Sequence, residues 1–238
     1  MLLYYITDRT QFPGPAAQQR ERLLSTAVAA ARAGVDLIQL REKDLSAREL
    51  ETLTHELMRE LQSFPQTRLL VNSRADVAIA AGAHGVHLPA NDISVSEARV
   101  VFSKAGVDRP IIAVSCHTTA EIEKSESHGA DFAVLGPIFE KEGKRIPAAG
   151  LAVLREACNR PAAAAARMPV LALGGVTLEN ASACLACGAA GVAGIRLFQR
   201  DDIGDTVKRL RELQEHDTSS HEPATHPYWI NIASSKKT

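Results

Sequence analysis

Short apolar runs and longer amphipathic stretches alternate eight times along this chain, and that rhythm constrains the fold more than any other feature. The runs at 2–6, 37–40, 68–71, 85–88, 111–114, 132–135, 170–173 and 191–195 have strand length. Helical spacing follows each, over 16–33, from Ser46, over 75–81, from Ser94, and over 118–128, 149–158, 178–187 and 203–214. Strands joined through helices lie parallel, and eight such units within 238 residues match the size of one (β/α)8 TIM barrel. The phrases Gly34-Val-Asp36, Gly82-Ala-His84-Gly85, Gly129-Ala-Asp131 and Gly188-Ala-Ala-Gly191 recur as helix stops leading into strands, which favours a single repeating architecture. A doubly wound open sheet is the alternative, but no Gly-rich dinucleotide fingerprint follows the first strand. Ser46 with Glu49 three residues on has the spacing of a capping box.

The most informative single stretch is Asp36-Leu-Ile-Gln-Leu-Arg-Glu-Lys43. Side chains alternate across a strand, so Gln39, Arg41 and Lys43 share one face and Ile38 and Leu40 the other. In a parallel barrel the outer face packs on helices, while the inner face at the carboxyl end opens into the cavity where chemistry is placed. Two cations there are costly to bury without an anion, so a phosphorylated or pyrophosphorylated ligand is the natural partner. The competing reading is a strand that ends in a solvated charged turn.

Composition narrows the classes. Hydrophobic residues make up 45% and charged residues 23%, as in an ordinary soluble globular protein. A formal net charge of −1 creates no global attraction to nucleic acid or an anionic membrane, so an anion site must be local. No run reaches the roughly 18 apolar residues of a membrane span, and no basic leader precedes Leu2, which reads as a cytoplasmic chain. Cys116, Cys158, Cys184 and Cys187 suggest no disulfide framework, and Cys184 with Cys187 reads as a buried small-residue pair. The barrel is expected over 1–215. The patch from Arg160 to Arg167 reads as a helix extension or loop, and 216–238 as a mobile polar tail carrying Tyr228, Trp229 and Ile230.

Chemistry is expected where the strands end. Those positions hold Thr7-Asp8-Arg9, then Arg41 and Lys43, Asn72-Ser73-Arg74, His87 through Asp92, Ser115-Cys116-His117, Gly136 through Lys144, Gly174-Gly175 and Ile195-Arg196. Loops after strands seven and eight of such barrels commonly bind phosphate through backbone N–H groups, and Gly174 and Gly175 leave the backbone open to an anion. Arg196 can add a bidentate contact. A tight packing turn beside a surface arginine is the alternative. His87 and His117 are inward candidates, although a barrel histidine is more often a satisfied core residue.

These motifs together resemble the thiamine-phosphate synthase and TenI superfamily. The resemblance rests on Tyr5-Ile-Thr-Asp8, Gln39-Leu-Arg-Glu-Lys43, Val71-Asn72 with Arg74, Gly85-Val-His-Leu88 with Asp92, Val114-Ser-Cys-His117, Gly136-Pro-Ile-Phe139 with Lys144, and Gly174-Gly-Val-Thr177, in order from residue 3 to about 198. It implies coupling of an aminopyrimidine methyl pyrophosphate to a thiazole phosphate with loss of pyrophosphate. By the same resemblance Gln39, Arg41, Lys43 and Asn72 hold the pyrimidine pyrophosphate, Asp92 ligates Mg²⁺, and Ser115 and Lys144 contact the departing group. Arg41, Lys43, Ser115 and Lys144 are then the catalytic set, and Gly174, Gly175, Ile195 and Arg196 take the thiazole phosphate. Phosphorylated small molecules are the implied partners, with a homo-oligomer possible.

Four places depart from the pattern. Ser73 stands where a second metal carboxylate is expected, Lys141 and Gly143 where two threonines are expected, and Arg196 where a serine is expected. Losing a carboxylate weakens Mg²⁺ binding. Two alternatives stay open: a TenI-like thiazole tautomerase, whose loop histidine is replaced here by Pro137, and a non-catalytic barrel that binds a phosphometabolite.

Overall fold

The computed structural model describes residues 1–140, 148–160 and 167–217, the last four as helix backbone. Lys141, Gly143, Lys144, the 161–166 part of the alanine patch, and the segment from 218 with Tyr228, Trp229 and Ile230 lie outside the described residues.

Among those residues, parallel strands β1 (Leu2–Ile6), β2 (Leu37–Leu40), β3 (Arg68–Asn72), β4 (Gly85–Leu88), β5 (Ile111–Cys116), β6 (Phe132–Leu135), β7 (Val170–Leu173) and β8 (Gly191–Gly194) close a barrel in chain order. The barrel is sealed by β1, which sets Ile6 opposite Gln39 of β2 and Tyr5 opposite Gly194 of β8. Helices α1 (Ala16–Ala33), α2 (Ala47–Leu61), α3 (Ala75–Ala80), α4 (Val95–Lys104), α5 (Thr119–Ser127), α6 (Gly150–Asn159), α7 (Ala181–Leu185) and α8 (Ile203–Asp217) follow the strands in turn. No helix among the described residues is long and apolar enough to cross a membrane.

Strand parity divides the apolar residues into two cores. Leu2, Tyr4, Ile6, Leu37, Leu70, Phe132 and Leu171 fill the barrel interior. Leu3, Tyr5, Ile38, Leu40, Val71 and Val86 face outward into the layer shared with the helices. Cys184 and Cys187 are buried in that outer layer, as their spacing in an alanine-rich helix suggested.

The recurring glycine phrases have a double role. Gly34, Gly82, Gly129 and Gly188 take φ of 94, 66, 81 and 94°, the left-handed geometry that ends a helix. Two residues after Gly34, Gly82 and Gly129, a side chain accepts the N–H of the second residue of a neighbouring strand: Asp36 from Leu3 at 2.7 Å, His84 Nδ1 from Leu69 at 3.0 Å, and Asp131 from Ile112 at 2.6 Å. These N–H groups sit at the amino ends of β1, β3 and β5, where an unpaired donor is costly. Asp36 also accepts from Arg211 of α8 at 2.8 Å, tying the last helix to the first two strands.

Boundaries shift where side chains compete with the backbone. α7 begins at Ala181 and not at 178, because Asn180 accepts from the Thr177 N–H at 2.8 Å and donates to the Gly175 carbonyl at 2.9 Å, holding a turn. β5 runs on to Cys116, pairing Ser115 with Val134 of β6. β8 stops at Gly194, where Ile195 starts a turn by accepting from the N–H groups of Phe198 and Gln199. α8 continues to Asp217, two residues beyond the barrel boundary placed at 215. The capping box at Ser46 and Glu49 is present.

Candidate active site

The inner parity of the strands carries polar groups to one end of the barrel. Above Leu37, Leu70, Gly85 and Ala113, steps of two residues place Gln39, Asn72, His87 and Ser115 on the same face. Three of them join a hydrogen-bonded line through Tyr4. Gln39 Nε2 donates to the Tyr4 hydroxyl at 3.1 Å, Tyr4 meets His87 Nδ1 at 3.0 Å, and His87 Nε2 meets Ser115 Oγ at 2.8 Å. Phe132 buttresses Tyr4 edge-on at 5.3 Å. Tyr4, Gln39 and His87 are buried, and Ser115 is half-exposed. Burial, with the nearby charge of Arg41, lowers the His87 pKa to about 3, so the imidazole is neutral.

Arg41 and Glu42 divide the end of β2. The Arg41 N–H donates to Thr7 Oγ1 at 3.0 Å, while its guanidinium has no carboxylate partner among the described residues. Glu42 points outward and is buried, where it accepts from Thr7 Oγ1 at 2.6 Å and from Arg9 Nη1 at 2.9 Å. Arg9 also pairs with Asp44 at 2.7 Å. Desolvation raises the Glu42 pKa, opposed by Thr7 and Arg9. Arg9 is therefore consumed by structure and Arg41 is not. Sequence reasoning missed this buried pair, although Thr7-Asp8-Arg9 stood out as a strand end. Lys43 lies in the exposed turn beyond β2, without a carboxylate partner among the described residues.

At the end of β3 the chain makes a γ-turn of the rarer sign. Arg74 N–H donates to Asn72 O at 2.8 Å around Ser73, whose φ is 64°. The turn aims the Ser73 hydroxyl at Asp92, which accepts it on Oδ2 and the Ile93 N–H on Oδ1 at 2.8 Å. Arg74 turns away to pair with Asp76. No cluster of three or more His, Cys, Asp or Glu side chains able to hold a metal occurs among the described residues.

The opposite rim is built from backbone. Ile138 and Phe139 donate to the carbonyls of Leu173 and Gly174 at 2.8 and 3.0 Å, zipping the loop after β6 to the loop after β7. A Cβ on Gly174 would stand 2.7 Å from Pro137, and one on Gly175 would stand 2.7 Å from the Phe139 Cβ. With φ of 91 and 68°, both positions require glycine for packing and for backbone shape. Among the described residues, no group accepts from the N–H of Gly174, Gly175 or Arg196. Ile195 packs against the inner core and Arg196 is exposed. His117 is also exposed and donates from Nδ1 to Gly136 O at 2.6 Å, so it fastens two loops and does not enter the barrel.

A thiamine monophosphate synthase family profile matches residues 3–198. The chain belongs to the thiamine monophosphate synthase family. Within that family it is 37% identical over 215 residues to the thiamine-phosphate synthase of Methanoculleus marisnigri, covering 90% of this chain and 93% of that one. It is 40% identical over 180 residues to the thiamine-phosphate synthase of Chlorobium luteolum, covering 76% and 81%. The solved structure of thiamine phosphate pyrophosphorylase from Pyrococcus furiosus superposes with a TM-score of 0.73 at 27% identity, covering 90% of this chain and 96% of that one.

Proposed function

We propose that this chain joins an aminopyrimidine methyl pyrophosphate to a thiazole phosphate, releasing pyrophosphate and forming thiamine phosphate. The observation that carries the reading is Arg41: a guanidinium at the inner mouth of the barrel with no carboxylate partner among the described residues, while its neighbour Arg9 has two. A half-exposed cation left so is available to an anionic ligand, and a pyrophosphate suits a bidentate guanidinium. The names of the relatives point to the same chemistry.

In this reading Gln39, Arg41, Lys43 and Asn72 hold the pyrimidine substrate, and Ser115 with Lys144 grips its pyrophosphate. Gly174, Gly175, Ile195 and Arg196 offer backbone N–H groups and a guanidinium to the thiazole phosphate. The bond from the pyrimidine methylene carbon to the pyrophosphate oxygen breaks, and the thiazole nitrogen lone pair forms the new bond to that carbon. The departing pyrophosphate keeps the electron pair. No general base is required, so the protein acts by positioning and by neutralising developing charge.

One carboxylate beside a hydroxyl, Asp92 with Ser73, fits a Mg²⁺ held chiefly by phosphate oxygens. When bound, Mg²⁺ supplies further neutralisation of the leaving group. A tautomerase is disfavoured because Pro137 occupies the place of its loop histidine and His117 is committed through Nδ1 to Gly136. The substrates are charged phosphate esters, and we assign the reaction to the cytoplasm.

The test is a coupling assay with both purified precursors, with and without Mg²⁺. Thiamine phosphate and pyrophosphate in equal amounts support the reading. Binding of both precursors without coupling at any Mg²⁺ concentration refutes it.

A further inference from the structure

We infer that His87 is a positioning residue that makes Ser115 a one-way hydrogen-bond donor toward the ligand, with the direction set from behind by Gln39 and Tyr4. The inference rests on the reading of Ser115 as a contact to pyrophosphate and adds what orients it.

The direction is fixed by counting protons. Gln39 Nε2 donates to the Tyr4 oxygen, so the single Tyr4 proton must be given to another acceptor. The remaining partner of that hydroxyl is His87 Nδ1 at 3.0 Å, inside a fully buried pocket where an unpaired O–H is costly. Nδ1 of His87 is therefore the acceptor. A neutral imidazole then carries its proton on Nε2, which faces Ser115 Oγ at 2.8 Å. Burial and the charge of Arg41 both oppose a second proton, so the ring does not become a donor on both sides. Ser115 accepts from behind, and no other group among the described residues accepts its hydroxyl hydrogen. That hydrogen is available to an acceptor in the cavity.

The polarity matters for the ligand class. A serine hydroxyl alone can rotate to give or to receive, and so serves anionic and cationic groups alike. Backed by His87 Nε2–H, which takes up one acceptor lone pair, it is biased to give, which suits phosphate oxygens. Alternating residues of four different strands build this line, from β1, β2, β4 and β5. Its inner end is buried among apolar side chains, so solvent does not scramble the order.

The experiment uses the full chain with selectively ¹⁵N-labelled histidine and inorganic pyrophosphate with Mg²⁺ as the probe. NMR at neutral pH should show His87 protonated at Nε2 with Nδ1 as a hydrogen-bond acceptor, and Tyr4→Phe should mix the two tautomers. Calorimetry should show Tyr4→Phe and His87→Phe weakening pyrophosphate roughly 10-fold each, as expected for degrading a hydrogen bond to a charged group. His87→Gln, which keeps a donor near the Nε2 position, should recover most of that loss. Adding His87→Phe to Ser115→Ala should cost nothing beyond Ser115→Ala, since the histidine acts through the serine. A proton found on Nδ1, or additive losses in the double variant, overturns the inference, and the NMR reading does so even if His87→Phe fails to fold. Because neither readout needs turnover, a chain that meets both yet couples no precursors sinks the synthase reading and leaves this inference standing.

Discussion

Ser73, just beyond β3, gives its hydroxyl to Asp92 in the loop after the adjacent β4, from a backbone conformation with φ of 64° that few non-glycine residues adopt. The turn that creates this geometry also orients Asn72, so a strained residue and a candidate metal carboxylate form one unit. A second carboxylate at position 73 would sit directly beside Asp92. Aspartate tolerates the left-handed region better than most residues, so Ser73→Asp should fold. The variant should bind Mg²⁺ on the order of 10-fold more tightly in the absence of substrate, because a second anionic oxygen joins the donor set. Calorimetric titration checks this, and weaker binding by a folded variant would show that the loop is not a metal site.

Arg9 and Arg41 stand near each other in the fold and should respond in opposite ways to truncation. Arg9→Ala leaves Glu42 buried without its cation and should destabilise the fold by about 3–5 kcal/mol. Arg41→Ala removes no ion pair seen among the described residues, so the urea midpoint should hardly move. Pyrophosphate affinity should instead fall by about 10-fold or more, the loss of a charge-assisted contact. Denaturation and calorimetry on the same two variants separate the roles.

Acid should destabilise this protein through two histidines. Burial, aided by Arg68 for His84 and Arg41 for His87, lowers their pKa values from 6.5 to about 4 and about 3. Below the ordinary histidine value the unfolded chain takes up protons that the folded chain refuses. Stability is therefore full above about pH 6.5 and is lost as pH falls toward the folded values, at about 1.4 kcal/mol per pH unit for each such group. The urea midpoint should drop between about pH 7 and about pH 5, and His84→Asn, which keeps an acceptor for Leu69 but cannot titrate, should flatten the slope.

Gly174→Ala should lower stability by roughly 1–3 kcal/mol, through a left-handed alanine and a collision with Pro137. A thermal melt of the native chain beside the variant reads the loss. Unaltered stability would mean that the turn relaxes more easily than its close approach to the β6 loop implies.

Much of the barrel was legible because period and punctuation agree. The strand parity that set Gln39, Arg41 and Lys43 on one face is a purely local property of extended chain; the inner and outer cores obey it, but β2 ends at Leu40 and Lys43 falls in the exposed turn beyond. The glycine phrases marked helix ends correctly, but the role of the residue two places after each glycine did not show in the sequence. That Asp36, His84 and Asp131 accept strand N–H groups depends on which strand lies beside which, a fact of closure and not of local spacing. The same limit hid Tyr4 and Glu42. Tyr4 reads as one apolar residue in Leu2-Leu-Tyr-Tyr-Ile6, and only the closed barrel brings its hydroxyl between Gln39 and His87. Glu42 reads as part of a charged turn until Arg9, from another strand end, is found against it. α7 came out short because Asn180 bonds to its own loop, a competition that helical periodicity does not register.

The coupling assay run side by side on the native chain and on Arg41→Ala tests the anion-pocket account most directly. Thiamine phosphate formation by the native chain, matched mole for mole by pyrophosphate and lost in a folded Arg41→Ala variant, is the predicted result. Equal coupling by both chains would contradict it, because the Arg41 guanidinium, without a carboxylate partner among the described residues, would then have no part in holding the leaving group.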